Sequence, residues 1–166
     1  MSSVTFKDNA VTVSGQFPAA GQAAPDFTLT GVDLADIRLS DYAGKKLLLN
    51  IFPSIDTAVC ATSVRKFNEK AASLDNTQVL CVSMDLPFAA NRFCGAEGLD
   101  RVQVASAFRH GDFLSNYGVA LADGPLRGLS ARAVVCIDEQ GQVVYGELVP
   151  ELTNEPNYEA AIQALS

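Results

Sequence analysis

Apolar positions along this chain switch between two spacings, and each switch marks a change of element. Leu47 to Phe52 is apolar throughout apart from Asn50, the composition of a strand buried on both faces. From Thr57 to Leu74 the positions Cys60, Val64, Phe67, Ala71 and Leu74 recur at steps of four, three, four and three, which predicts one helical stripe. Strand character returns over Gln78–Met84. A short helix around Leu86–Cys94, a strand over Val102–Ala105 and a helical patch near Asp112–Tyr117 follow. Ala131–Ile137 and Gln142–Val149 flank Asp138-Glu139-Gln140-Gly141, whose final glycine marks a hairpin turn. Glu155–Leu165 reads as a closing helix, with Asn154 as its expected cap and Tyr158, Ile162 and Leu165 on one face.

Upstream, Val4-Thr5-Phe6 and Val11-Thr12-Val13 alternate around a turn expected at Asp8-Asn9, a hairpin that decorates the core. After the Gly15–Pro25 linker, Phe27–Thr30 and Asp36–Leu39 are short strands, and Ser40-Asp41 caps a single helical turn before Gly44. A β-α-β half joined to a β-β-α half predicts an α/β, thioredoxin-like fold: a mixed central sheet flanked by helices, with an N-terminal β-hairpin. No repeat or long linker divides the chain, so one domain is expected over 1–166, with 1–15 as the hairpin extension.

Charge narrows the range of partners. A net charge of −7 with only 12 Lys+Arg argues against nucleic acid or an anionic membrane surface, both of which need clustered positive charge. No apolar run reaches the roughly 18 residues of a membrane span. The N-terminus has neither a basic nor an apolar leader segment, so a cytoplasmic location is expected. The four cysteines, Cys60, Cys81, Cys94 and Cys136, fit no metal-binding spacing, and His110 is the single histidine, read as a solvated loop residue. No metal or cofactor is therefore expected. Cys81 and Cys136 lie in strand-like apolar runs, where a thiol packs as a small hydrophobe.

Cys60 is placed differently, at the junction where a strand has ended and a helix begins. A sulfur in a first helical turn sees N–H groups without intrahelical acceptors and the positive end of the macrodipole, and both favour thiolate over thiol. Thr57 brings a hydroxyl to the same turn and also fits a plain N-cap. Pro53 adds a rigid wall without an N–H and also fits a strand stop. Periodicity alone is equally consistent with an inert thiol on the inward face of the helix.

The segment Asn50 to Asn68, containing Pro53-Ser54-Ile55-Asp56-Thr57-Ala58-Val59-Cys60, resembles the active-site segment of bacterial thiol peroxidases, the atypical two-cysteine peroxiredoxins. Phe88, Arg92-Phe93-Cys94-Gly95-Ala96-Glu97-Gly98, Tyr117-Gly118-Val119, Ala122 to Leu126 and Ala131-Arg132-Ala133-Val134 match in order and spacing, so the likeness covers essentially the whole chain. The resemblance implies that Cys60 is the peroxidatic nucleophile and Cys94 the resolving cysteine. It further implies that Thr57, Pro53 and Arg132 complete the catalytic set and that a Cys60–Cys94 intrachain disulfide is recycled by thioredoxin. Hydrogen peroxide and alkyl or lipid hydroperoxides are the implied substrates, and a homodimer the implied assembly. Leu86, Phe88 and Phe93 are candidates for apolar substrate surface and equally for core or interface. Glycines and Phe93 around Cys94 are poor helix formers, so local refolding on oxidation is expected. A peroxide-sensing redox switch, using the same thiol pair to signal to a partner, is the alternative function.

Overall fold

The computed structural model describes residues 2–166. Ten strands and four helices alternate much as the hydrophobic periods require. Strand β1 (Ser2–Phe6) pairs with β2 (Asn9–Ser14). Short strands β3 (Thr28–Thr30) and β4 (Asp36–Arg38) precede a 3-10 turn at Leu39–Tyr42. Then come β5 (Lys46–Ile51), α1 (Ala58–Ala71), β6 (Thr77–Ser83), α2 (Pro87–Glu97), β7 (Val102–Ser106) and α3 (Asp112–Asn116). Strands β8 (Ala120–Leu121), β9 (Ala133–Ile137) and β10 (Val143–Leu148) and helix α4 (Tyr158–Ala164) complete the order.

Seven strands form the central sheet in the order β10-β9-β5-β6-β7-β3-β4. β5, β6 and β7 run parallel, as the β-α-β crossovers demand, while β9 pairs antiparallel with both β5 and β10. This is the mixed thioredoxin-like sheet, and it is covered on both faces. Leu47, Leu49, Ile51, Leu80, Val82, Val135 and Ile137 point to one core, shared with α3 and the N-terminal hairpin. Leu48, Val79, Cys81, Val134 and Cys136 point to the other, shared with α1, α2 and α4. Strict alternation along each strand assigns these faces, and a one-residue slip would exchange them.

Helix α1 buries Cys60, Val64 and Phe67 against the sheet, the stripe that the sequence predicts. Phe67 meets Tyr158 of α4 edge-to-face at 5.0 Å, a geometry worth ~0.5–1.5 kcal/mol beyond the area it buries. The cap of α4 is Asn157, whose side chain accepts the Ala160 N–H at 3.1 Å, rather than Asn154. Pro156 explains the difference, because the residue preceding a proline is pushed out of the α region and the helix cannot start there.

The hairpin turn is Lys7-Asp8, one residue earlier than expected, and both residues have positive φ (51° and 69°). The hairpin belongs to a separate small sheet, β1-β2-β8, which needs the two-residue strand β8 that the sequence did not suggest. The chain leaving the hairpin crosses Gly118 so closely that an added Cβ would lie 2.2 Å from the Phe17 nitrogen. Only glycine fits that crossing, where φ is also +64°. No helix among the described residues is long and apolar enough to cross a membrane.

Candidate active site

Parallel strands end together, so the loops after β5 and β6 share one edge of the sheet, where open α/β sheets generally carry their sites. The end of β5 is held from two sides. Ser130 Oγ donates to the Phe52 carbonyl at 2.6 Å, and the Phe52 N–H donates to the Val82 carbonyl at 3.1 Å. Pro53 follows, buried. The Asp85 carboxylate, just past β6, then accepts from Ser54 Oγ at 2.8 Å and from the Ile55 N–H at 2.7 Å.

Thr57 occupies the N-cap position of α1 with extended backbone (φ −98°, ψ 147°), but its side chain does not cap. Its hydroxyl donates instead to the Ser54 carbonyl at 2.9 Å, which leaves the oxygen lone pairs as acceptors at the helix mouth. The first helical bond is Ala61 N–H to the Thr57 carbonyl at 3.0 Å. The N–H groups of Ala58, Val59 and Cys60 thus have no intrahelical acceptor, and no acidic residue lies in the first turn to compete for them. Cys60 is 0% exposed at this mouth. A buried polar chain fixes the helix against the sheet behind it: Asn50 Nδ2 donates to Ser63 Oγ at 3.2 Å, and Ser63 Oγ donates to the Cys60 carbonyl at 2.7 Å.

Arg132 immediately precedes β9 and is only 3% exposed, so it is not a solvated strand-end charge. Its Nε and Nη2 both donate to the Leu152 carbonyl, at 3.0 and 2.9 Å, while Nη1 is buried without a protein partner. A buried guanidinium nitrogen left open is costly unless something else receives its protons. Pro53, Thr57 and Arg132 line one cavity of ≈ 390 Å³ together with Ala58 and Val59 of the first helical turn. Its opposite wall comes from Phe6 and Lys7 of the hairpin and from Leu126 and Leu152.

Cys94 shares the helix-side core with Cys60 but lies on α2 and opens onto a different cleft of ≈ 730 Å³, lined also by Asn91, Leu99 and Asp100. Burial holds its thiol above the ordinary value. Cys81 and Cys136 are pushed up to about 12, burial being the main cause, as befits thiols used as core hydrophobes. All four cysteines are free. Among the described residues no three His, Cys, Asp or Glu side chains are grouped to hold a metal ion.

Four of the five residues named from the sequence therefore gather at one helix mouth, and the fifth stands apart on a neighbouring helix. The apolar wall of the cavity separates the two uses left open for the aromatic segment of α2. Phe88 and Leu86 are 64% and 50% exposed and do not line it; Phe6 does, so the hairpin contributes to the site. His110 is half-buried, with Nε2 shielded and unpartnered, rather than solvated. Asp85 was missed, although a Ser-x-Asp spacing at the end of a strand, here Ser83-Met84-Asp85, is a recognisable turn signature.

A thiol at a helix mouth beside a buried arginine, on a thioredoxin-like sheet, defines a class of cysteine-based redox proteins. Residues 19–162 match the Redoxin family. A thiol peroxidase of Mycobacterium tuberculosis is 58% identical over 165 residues, covering 99% of each chain. The structure of a peroxiredoxin-like protein from Aquifex aeolicus superimposes with a TM-score of 0.93 at 40% identity, covering 98% of this chain and 95% of the other. A thiol peroxidase from Chromobacterium violaceum superimposes with a TM-score of 0.91 at 24% identity, over 98% and 94% of the two chains, and shares the fold. The chain belongs to the redoxin family and, within it, to the thiol peroxidases.

Glu151 secures the hairpin wall of the cavity. Its carboxylate accepts from Thr5 Oγ1 (2.8 Å), from the Lys7 and Asp8 N–H groups of the turn (3.3 and 3.0 Å) and from Thr153 (2.7 Å to Oγ1). The Asp8 N–H foremost, then Thr153, lowers its pKa from 4.5 to about 2. A folded-state value below the unfolded one means that this support is complete above pH 4.5 and disappears as pH falls through about 2. Amide protection of Lys7 and Asp8, followed by NMR hydrogen exchange, is expected to collapse over that window. Glu151→Gln is expected to show no such step and weaker protection at neutral pH.

Proposed function

We propose that this chain is a thiol-dependent peroxidase that reduces hydrogen peroxide and organic hydroperoxides, with Cys60 as nucleophile. The observation that carries the reading is a buried Arg132, its Nη1 without a protein partner, lining with Thr57 the cavity at the mouth of the Cys60 helix. The Cys60 thiolate attacks one peroxide oxygen; the S–O bond forms as the O–O bond breaks, and sulfur is oxidised by two electrons to a sulfenic acid. The other oxygen leaves with the bonding pair, takes a proton and departs as water or alcohol. Arg132 Nη1, which has no protein partner, and the free first-turn N–H groups are the donors available to that developing charge. The Thr57 oxygen, its own proton committed to Ser54, accepts a hydrogen bond from the peroxide O–H and so orients the substrate, while that proton stays within the reacting groups. Pro53 shields the site from water.

In the second step Cys94 attacks the Cys60 sulfenic sulfur, water leaves, and an intrachain disulfide forms. Cys60 is fully buried in the first turn of α1, while Cys94 lies on α2 and borders a separate cleft; a disulfide needs Cα atoms within about 7 Å, so α1 and α2 refold locally to meet. Burial keeps the Cys94 thiol protonated in the present arrangement, and opening α2 frees it to react. A dithiol protein of the thioredoxin type supplies two electrons to regenerate both thiols. We take 1–166 as a single peroxiredoxin domain, working as a homodimer in the cytoplasm. Thiols kept without a disulfide framework suit a reducing compartment.

The test is mass spectrometry after one equivalent of cumene hydroperoxide, coupled to turnover with thioredoxin and its reductase. A Cys60–Cys94 linkage with sustained turnover is expected. A disulfide between other cysteines, or stoichiometric oxidation without turnover, overturns the reading.

A further inference from the structure

One carboxylate ties together the two segments that the proposed cycle must move. Asp85 leaves β6 and leads through Leu86, the N-cap of α2, into the helix that carries Cys94. Its backbone is anchored to the sheet: its N–H donates to Ser83 Oγ at 3.2 Å, and its carbonyl accepts from Ser106 Oγ. Its side chain accepts once more from Ser83 and is otherwise turned to the other segment. Oδ1 accepts from Ser54 Oγ at 2.8 Å, and Oδ2 accepts from the Ile55 N–H at 2.7 Å and from Ser83 Oγ at 2.7 Å. Ser54 in turn supports the helix mouth, since its carbonyl receives the Thr57 hydroxyl and N–H and its Oγ receives the Asp56 N–H. Hydrogen bonds to an ionised carboxylate are about twice as strong as neutral ones, and these converge on a half-buried group with no cation bridged to it among the described residues.

We infer that Asp85 is a positioning residue, a latch closed only in the reduced state, that holds the loop of Cys60 in its peroxide-reactive shape and releases that loop and the Cys94 helix together. The inference rests on the Cys60–Cys94 cycle proposed above. α2 unwinds from its N-cap side or its C-terminal side. Arg65 resists the second route, pairing with Glu97 and lying over the Phe93 ring at 5.4 Å, so the Asp85 end and the Arg65 end clamp the helix from opposite sides. Stabilising the reduced arrangement alone shifts the dithiol–disulfide equilibrium toward the dithiol.

Asp85→Asn and Ser54→Ala test this against the wild-type protein. Asparagine keeps the size and one acceptor but turns an amide donor toward groups that are themselves donors. The melting temperature of reduced Asp85→Asn is expected to fall while that of the oxidised form stays at the wild-type value. The equilibrium against a dithiol buffer is expected to move about tenfold toward the disulfide, which is ~30 mV for this two-electron couple. Ser54→Ala is expected to shift both readouts in the same direction by less, and the double variant by no more than Asp85→Asn alone. Equal destabilisation of both redox forms with an unmoved equilibrium marks a merely structural carboxylate and overturns the latch. Should Asp85→Asn fail to fold, Ser54→Ala decides by the same two readouts. Wild-type disulfide mapping separates the two levels: no Cys60–Cys94 bond condemns the proposed cycle and the latch with it, whereas a normal bond with redox-independent effects condemns the latch alone.

Discussion

Cys60→Ser is expected to reduce hydroperoxide consumption to background, a loss on the order of 10⁴-fold or more. The substitution changes one atom at a site that is fully buried in the helix-side core, so shape is retained while the nucleophile is lost. A serine hydroxyl at neutral pH has essentially no anion to offer, and no helix terminus can overcome so large a difference. Burying a hydroxyl there costs about 1–3 kcal/mol unless it finds a partner. The unpaired N–H groups of the first turn are within the same turn, which limits that penalty. The measurement is NADPH oxidation coupled through thioredoxin and its reductase, with thermal denaturation confirming the fold. Activity surviving at a tenth of wild type or more would move the chemistry to another cysteine.

Arg132→Lys is expected to lower kcat/KM by ~10²–10³-fold, the usual consequence of removing a preorganised donor from the site of developing charge. Charge is conserved in this variant, so the loss isolates geometry. The guanidinium uses Nε and Nη2 to grip the Leu152 carbonyl and leaves Nη1 without a protein partner, in a residue that lines the cavity. A lysine ammonium is a single nitrogen and cannot hold both directions of that planar fork. Arg132→Ala tests the same point by rescue: added guanidinium ion, small enough for the cavity of ≈ 390 Å³, is expected to restore part of the activity. The alanine variant also strips the Leu152 carbonyl of its donors, for a stability cost of about 1–3 kcal/mol that thermal denaturation reads separately. An Arg132→Lys enzyme retaining more than about a third of wild-type kcat/KM would show that the open nitrogen is not the donor.

The sequence made the central architecture legible because its periods are clean. The stripe of Cys60, Val64 and Phe67 reads as a helix against a core, and the run of β5, apolar over Leu47–Ile51 apart from Asn50, reads as an interior strand. Cys60, Thr57 and Pro53 were readable for the same reason, lying at a marked strand-to-helix junction. Arg132 was harder, since a lone cation ahead of a strand looks solvated until tertiary structure shows what surrounds it; only its place in a family-like segment pointed inward. Elements governed by long-range partners escaped. Strand β8 has two residues and exists because β2 lies beside it. The turn at Lys7-Asp8 adopts left-handed backbone without glycine because Glu151, far away in the chain, supplies the acceptor for both N–H groups. Phe6 reaches the cavity through that same tether, so no local pattern could have placed it there.

Every thiol of the chain resides in one of the two cores. Cys60, Cys81, Cys94 and Cys136 all belong to the helix-side layer, and none faces the hairpin side. In the proposed cycle, cross-linking and rearrangement would therefore be quarantined in one half of the interior, with the opposite half as a keel that keeps the strand registry and guides each return.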